Sequence, residues 1–211
     1  PAVAYNGITN TYLVVWEGDD TPGGQVEGEM EIFGQLLSGS SGSQTGNSDV
    51  RISYAGGTGD AGFDAHNPGV AFNSVYNQYL VVWEADQAGD GLVDNEFEIW
   101  GQVLDADLFP LFGDAFRISS MGPDGNADFD ALRPAVAYNP SRDEYLVVWD
   151  GDDDAGSLVD EEREIWAQRV YSTGTLIGGN LRMSDMGGSG DAAFDGISPD
   201  VVYNAREFEY L

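Results

Sequence analysis

An all-β chain, folded as a β-propeller or a segment of one from four-stranded antiparallel blades, is what this sequence predicts. Three observations carry the prediction. "PAVAYN" at Pro1 returns as "PGVAFN" at Pro68, "PAVAYN" at Pro134 and "PDVVYN" at Pro199, at periods of 67, 66 and 65 residues, or about 66 residues per repeat. Each unit divides into four short apolar runs separated by Gly, Asp, Asn and Ser. The second run, "YLVVW", is apolar on both alternating faces, as in a strand covered from two sides.

In the first unit the predicted strands are A over 2–5, B over 12–16, C over 31–37 and D over 50–53. Strand B sets Tyr12, Val14 and Trp16 on one face and Leu13 and Val15 on the other. A sheet on one side of a sandwich would show polar residues on its outer face, whereas small sheets stacked around an axis bury both. The repeats run over 1–67, 68–133 and 134–198, with the first strands of a fourth at 199–211. They are expected to form one propeller domain or part of one, since units of this size seldom build a core alone. A period longer than the ~40–50 residues usual for propeller repeats is accounted for by two long loops per unit.

Composition narrows the function. Aromatic and apolar content is that of a folded protein, despite 37 acidic residues against eight arginines and no lysine, a formal charge of −29. Such a surface repels nucleic acid and anionic membranes and attracts cations. No apolar stretch approaches the roughly 20 residues that span a bilayer. With no cysteine and one histidine, His66, disulfides, thiol chemistry and an ordinary zinc site are all disfavoured. Pro1 already lies inside a repeat, so the chain is expected to belong to a longer one.

The motifs "PAVAYN", "YLVVW", "EIFGQ" and "RIS", over 1–6, 12–16, 31–35 and 51–53 with their later counterparts, resemble a group of secreted bacterial propeller repeats, distantly similar to sialidase-like propellers. The resemblance covers essentially the whole chain. It implies a propeller fold and an extracellular or cell-surface location, but no single activity.

In alternating antiparallel strands the B–C and D–A′ loops emerge at one edge of each blade, and 28 of the 37 acids lie in those segments. Concentrated like charge calls for compensation, and Ca²⁺ accepts six to eight oxygen ligands. The candidate metal ligands recur in register: Glu17, Glu84 and Asp150; Asp19, Asp86 and Asp152; the pairs Glu29 and Glu31, Glu96 and Glu98, Glu162 and Glu164; and in the D–A′ loops Asp60 and Asp64, Asn126 and Asp130, Asp191 and Asp195. No EF-hand or nonapeptide pattern is present, so a structural calcium is weighed against a solvated acidic face of the salt-adapted kind.

Other residues point to structure. Arg51, Arg117 and Arg182 occur once per unit and are expected to make ion pairs within their blades. Trp16, Trp83 and Trp149 are expected in the core, with Trp100 and Trp166 between blades. Carboxylate pairs could serve glycoside hydrolysis, yet they recur in every unit, whereas an active site is normally unique. The leading expectation is therefore a non-enzymatic extracellular scaffold or adhesion module, calcium-stabilised, meeting glycan or protein at the cell surface. Its alternatives are a sialidase-like glycan-processing enzyme with catalytic residues partly outside these 211 residues, and a passive subunit of a larger extracellular assembly.

Overall fold

A computed structural model describes residues 1–20, 24–89, 91–154 and 156–211. Asp90, one of the acids counted above, lies outside them. The first sheet runs β1 (Ala2–Asn6), β2 (Thr11–Gly18), β3 (Glu31–Ser38), β4 (Gln44–Arg51) in spatial order. The second is β5 (Ala65–Asn73), β6 (Gln78–Ala85), β7 (Glu98–Asp105), β8 (Phe116–Arg117). The third is β9 (Ala131–Asn139), β10 (Glu144–Gly151), β11 (Glu164–Tyr171), β12 (Leu176–Arg182), and a two-stranded piece, β13 (Tyr203–Asn204) with β14 (Glu209–Tyr210), begins a fourth. Every pairing is antiparallel, and the first strands β1, β5 and β9 pack against one another in sequence. The fold is thus a propeller segment with β1, β5 and β9 innermost.

The asparagine closing each "AVAYN" phrase shapes the turn into the second strand. Oδ1 of Asn6 accepts from the amides of Ile8 and Thr9, and Asn73 does the same for Val75 and Tyr76. This is the local side-chain turn that asparagine favours. The turn ends on a left-handed residue, Asn10, Asn77 or Asp143 at φ 54 to 56°, a conformation those short polar side chains tolerate.

The core lies between blades. Leu13, Val15, Ile32 and Leu36 of the first sheet pack against Tyr79, Val81 and Trp83 of the second. Leu80, Val82, Ile99 and Val103 repeat the arrangement against Tyr145, Val147 and Trp149 of the third. The two-faced pattern of "YLVVW" therefore encodes stacking. Trp83 and Trp149 are fully buried, but Trp16 is only half-buried and Tyr12 is exposed, because no sheet of the described residues covers that face of the first blade.

The outer strands depart from the predicted ones. β4 begins at Gln44, ahead of the predicted start at Val50, and β8 retains two residues. Polar residues in "QTGNSD" hide the strand from a pattern-based reading, since an edge strand exposed on both faces is held by backbone pairing with β3 and needs no apolar alternation. The repeat boundaries at Pro68 and Pro134 fall inside β5 and β9, which both start earlier. No helix of the described residues is long and apolar enough to cross a membrane.

Candidate functional site

The B–C and D–A′ segments share one edge of each blade, as their mutual hydrogen bonds require. Glu29, Glu96 and Glu162 each accept from two amides, one in the B–C loop (Val26, Val93, Val159 at 2.9–3.1 Å) and one in the D–A′ loop. The latter donors are Gly59, Gly125 and Gly190, at 2.8 to 3.1 Å. All three glycines have positive φ, which aims the amide inward and explains why glycine recurs there.

Glu31, Glu98 and Glu164 are fully buried at the start of the third strands. Each accepts a hydroxyl (Ser53, Ser119, Ser184) and a backbone amide (Ala55, Met121, Met186) and faces an arginine. The Arg51–Glu31 distance is 2.6 Å, Arg117–Glu98 is 2.5 Å and Arg182–Glu164 is 3.7 Å. These arginines make the ion pairs within blades that their spacing predicted. Burial pushes Glu98 up to about 7 against the opposing pull of Arg117, Ser119 and the Met121 amide.

The remaining candidates stitch neighbouring loops. Asp19, Asp86 and Asp152 accept from Gly28, Asn95 and Glu161, and Asp86 and Asp152 also hold the amides of Asp64 and Asp130 from the preceding D–A′ loop. Asp64, Asp130 and Asp195 in turn accept from Met30, Phe97 and Arg163. Asp60, Asn126 and Asp191 close local turns onto Gly62, Asp128 and Ala193. Among the described residues no three acidic or histidine side chains converge on a point that could hold a metal ion. Amides and guanidinium groups occupy the positions around these oxygens. A melting curve at low salt tests the calcium expectation: a drop with chelator that Ca²⁺ restores would place a cation at the acidic face, and a curve unmoved by both would leave these carboxylates to their amide and guanidinium partners.

Glu17, Glu84 and Asp150 form the innermost row. Each accepts the backbone amide of the residue preceding the next blade's proline: Asn67 at 2.7 Å, Arg133 at 2.5 Å and Ser198 at 2.9 Å. All three of those residues have φ near 50°, at 48, 54 and 54°. That is an unfavourable conformation for a non-glycine residue, held here by its surroundings. The side chains then reach forward into their own blade, Asn67 Nδ2 to Glu84 Oε1 and Arg133 Nε to Asp150 Oδ1, both at 2.8 Å. A ladder of carboxylate and donor thus crosses each blade junction beside the inner strands.

The repetition breaks at the junction of the second and third blades. Arg133 stands where Asn67 and Ser198 stand in the other junctions, and Arg163 where Met30 and Phe97 stand in the other blades. Arg163 Nη1 lies 3.7 Å from Asp150 Oδ2, and its Nη2 is 3.9 Å from Asp130 Oδ2 and 4.0 Å from Asp152 Oδ1. Nη1 is buried and has no hydrogen-bond partner. Asp150 and Asp152 are sealed, at 0% and 1% side-chain exposure, while Asp130 is reachable at 22%. Burial, reinforced by the Asp152 and Glu84 carboxylates and opposed by the Phe97 amide and Arg163, pushes Asp130 up to about 6. A partly exposed carboxyl that keeps its proton up to about pH 6 beside a charged cluster can act as a general acid. Neither Arg133 nor Arg163 is among the ligands predicted from sequence. Their departure from the repeat was the signal that could have found them.

No protein-family model matches the chain, and no curated protein matches it. Solved structures do. One is an N-acetylgalactosamine deacetylase from F. plautii in complex with blood group B trisaccharide, with TM-score 0.57 and 12% identity over 94% of this chain and 56% of that one. Another is the GH93 α-L-arabinofuranosidase of Fusarium graminearum with arabinobiose, with TM-score 0.57 and 14% identity over 92% of this chain and 50% of that one. The chain thus spans about half the length of each. At such identity the likeness shows the fold alone. It corrects the expectation of a non-enzymatic scaffold all the same. That expectation rested on repetition excluding a unique site, and the same fold is an enzyme's in both structures, while the repeat here is itself broken at Arg133 and Arg163.

Proposed function

We propose that the chain is part of a secreted enzyme acting on glycans, with its site at the acidic mouth between the second and third blades. In this reading Asp130 is the proton donor to a glycosidic oxygen, and Arg133 and Arg163 hold the sealed carboxylates in place around it. Glycoside hydrolysis needs a second carboxylate roughly 5 to 10 Å from the first. In this reading that group comes from a part of the protein beyond the half-length that the chain shares with its structural neighbours. The observation that carries the proposal is the pair of arginines, Arg133 and Arg163, standing where the other units have no cation, beside the reachable Asp130 carboxyl. Neutral glycans are the substrate class it favours, since a surface of charge −29 repels anionic ones. The carbohydrate ligands of both structural neighbours support the same class.

A hydrolysis screen of the full-length protein against neutral oligosaccharides tests this, alongside Arg163→Phe, which restores the residue of the second blade. Turnover is expected in the wild type and to fall about a hundredfold in the variant, assayed at a temperature where circular dichroism shows the variant folded, since losing the cation beside two sealed carboxylates lowers its stability. Turnover equal in both proteins would refute the assignment of this site.

A further inference from the structure

A second departure from the repeat lies at the outer junction of the first and second blades. Tyr54 follows β4 at the position held by Ser120 and Asp185 in the later units. The segment "FPLF" over 109–112 stands where "SQTG", the end of the turn and the start of β4, stands in the first blade. The structure brings these two singular elements together: Tyr54 and Phe109 line one cleft of about 210 Å³. Tyr54 also lines an adjoining cleft of about 320 Å³ with Gln87, Pro110 and Asp114. Both residues are 57% exposed, which leaves part of each ring open to a ligand.

The Tyr54 ring is held rigidly. The Arg51 guanidinium carbon stands 4.3 Å from its centroid, and Arg51 is fixed by Glu29 at 2.9 Å, Glu31 at 2.6 Å and the Ser53 carbonyl at 2.9 Å. A cation on one side of the ring, itself immobilised by buried carboxylates, gives a preorganised aromatic platform. Polar groups beside it lack partners. Gln87 Oε1 has no hydrogen-bond partner, and neither has Nε2 of Gln25, which lines a third cavity touching Tyr54. Unpaired buried amide groups are costly; both atoms are sealed in the free protein, so ligand hydroxyls would meet them on a turn of the two side chains into the cleft.

We infer that the cleft around Tyr54 and Phe109 is a binding subsite for a neutral oligosaccharide, distinct from the Asp130 cluster and independent of whether that cluster is catalytic. Aromatic faces stack on the apolar faces of sugar rings, and carboxamides and carboxylates bind their hydroxyls. Asp49, Asp107 and Asp114 line the same cavities and repel acidic sugars. The arginine beneath the platform is already neutralised by two glutamates.

Binding of cellohexaose, xylohexaose and arabinohexaose is measured by calorimetry on the full-length protein carrying Asp130→Asn, so that cleavage does not interfere. At least one is expected to bind, Tyr54→Ala to weaken it about tenfold, and Tyr54→Phe to retain it. All variants are expected to keep their melting temperature. The inference is overturned if none of the three binds, if Tyr54→Ala leaves the affinity unchanged, or if polygalacturonate or an arginine-rich peptide binds more tightly. Turnover of short substrates by the protein with Asp130 intact is read separately, so loss of this subsite and loss of the enzymatic reading are distinguishable.

Discussion

Arg117→Ala is expected to destabilise the protein by about 3 kcal/mol at pH 8, because it leaves Glu98 buried without its cation. Arg117 is 14% exposed and Glu98 is sealed, so solvent cannot replace the lost guanidinium. The size of the effect depends on pH, and its sign follows from linkage. Burial already raises Glu98 from 4.5 to about 7 with Arg117 present, and without it the carboxyl climbs further. A carboxyl raised on folding contributes stability that is whole below its unfolded value of 4.5 and is lost as pH rises through the folded value. The variant's deficit is therefore greatest above pH ~7 and shrinks on acidification, where Glu98 takes up a proton and needs no cation. Urea titrations at pH 5 and pH 8 measure this. A loss of equal size at both would show that Glu98 does not titrate as described. In the third blade Arg182→Ala should cost less, since Arg182 stands 3.7 Å from Glu164 and is more exposed.

The fold was legible because the sequence repeats its burial. Leu80 and Val81 point opposite ways in one strand and both are fully buried, and only a sheet covered on two sides satisfies both. Which acids share an edge was legible too, from strand alternation alone. What those acids hold was not. An aspartate in register reads the same whether it faces a cation or an amide. Nothing in "GDAGFD" announces that Asp64 accepts from Met30, more than thirty residues earlier in the chain. The positions at which the repeats agree are the struts between loops. The positions where they disagree, Asn67 against Arg133, Phe97 against Arg163 and Ser120 against Tyr54, are the ones at which the structure gathers unpaired or reachable chemistry. Trp16 illustrates another limit: its burial depends on a neighbour, so the same "YLVVW" word gives a fully buried Trp83 and a half-exposed Trp16.

Asp130→Asn is expected to reduce glycan turnover by about 10²- to 10⁴-fold, the range general acid catalysis supplies, without unfolding the protein. The amide is isosteric, and its oxygen can still accept from Phe97, which bonds Oδ1 at 3.0 Å in the wild type. It also removes a charge beside Asp152 and Glu84, both of which raise the Asp130 carboxyl, so stability at neutral pH should hold or increase. The pH profile separates this role from a structural one. An acid must carry its proton to act, so wild-type turnover should decline as pH rises through about 6. Stability contributed by the raised carboxyl is present below its unfolded value of 3.8 and lost over the same interval, a slope the variant should lack. Arg163 lowers the Asp130 value, so Arg163→Phe should carry the alkaline limb to higher pH as well as slowing the reaction. A limb that stays in place in that variant would mean the titrating group is not Asp130, since no structural loosening of the cluster mimics the removal of one nearby positive charge.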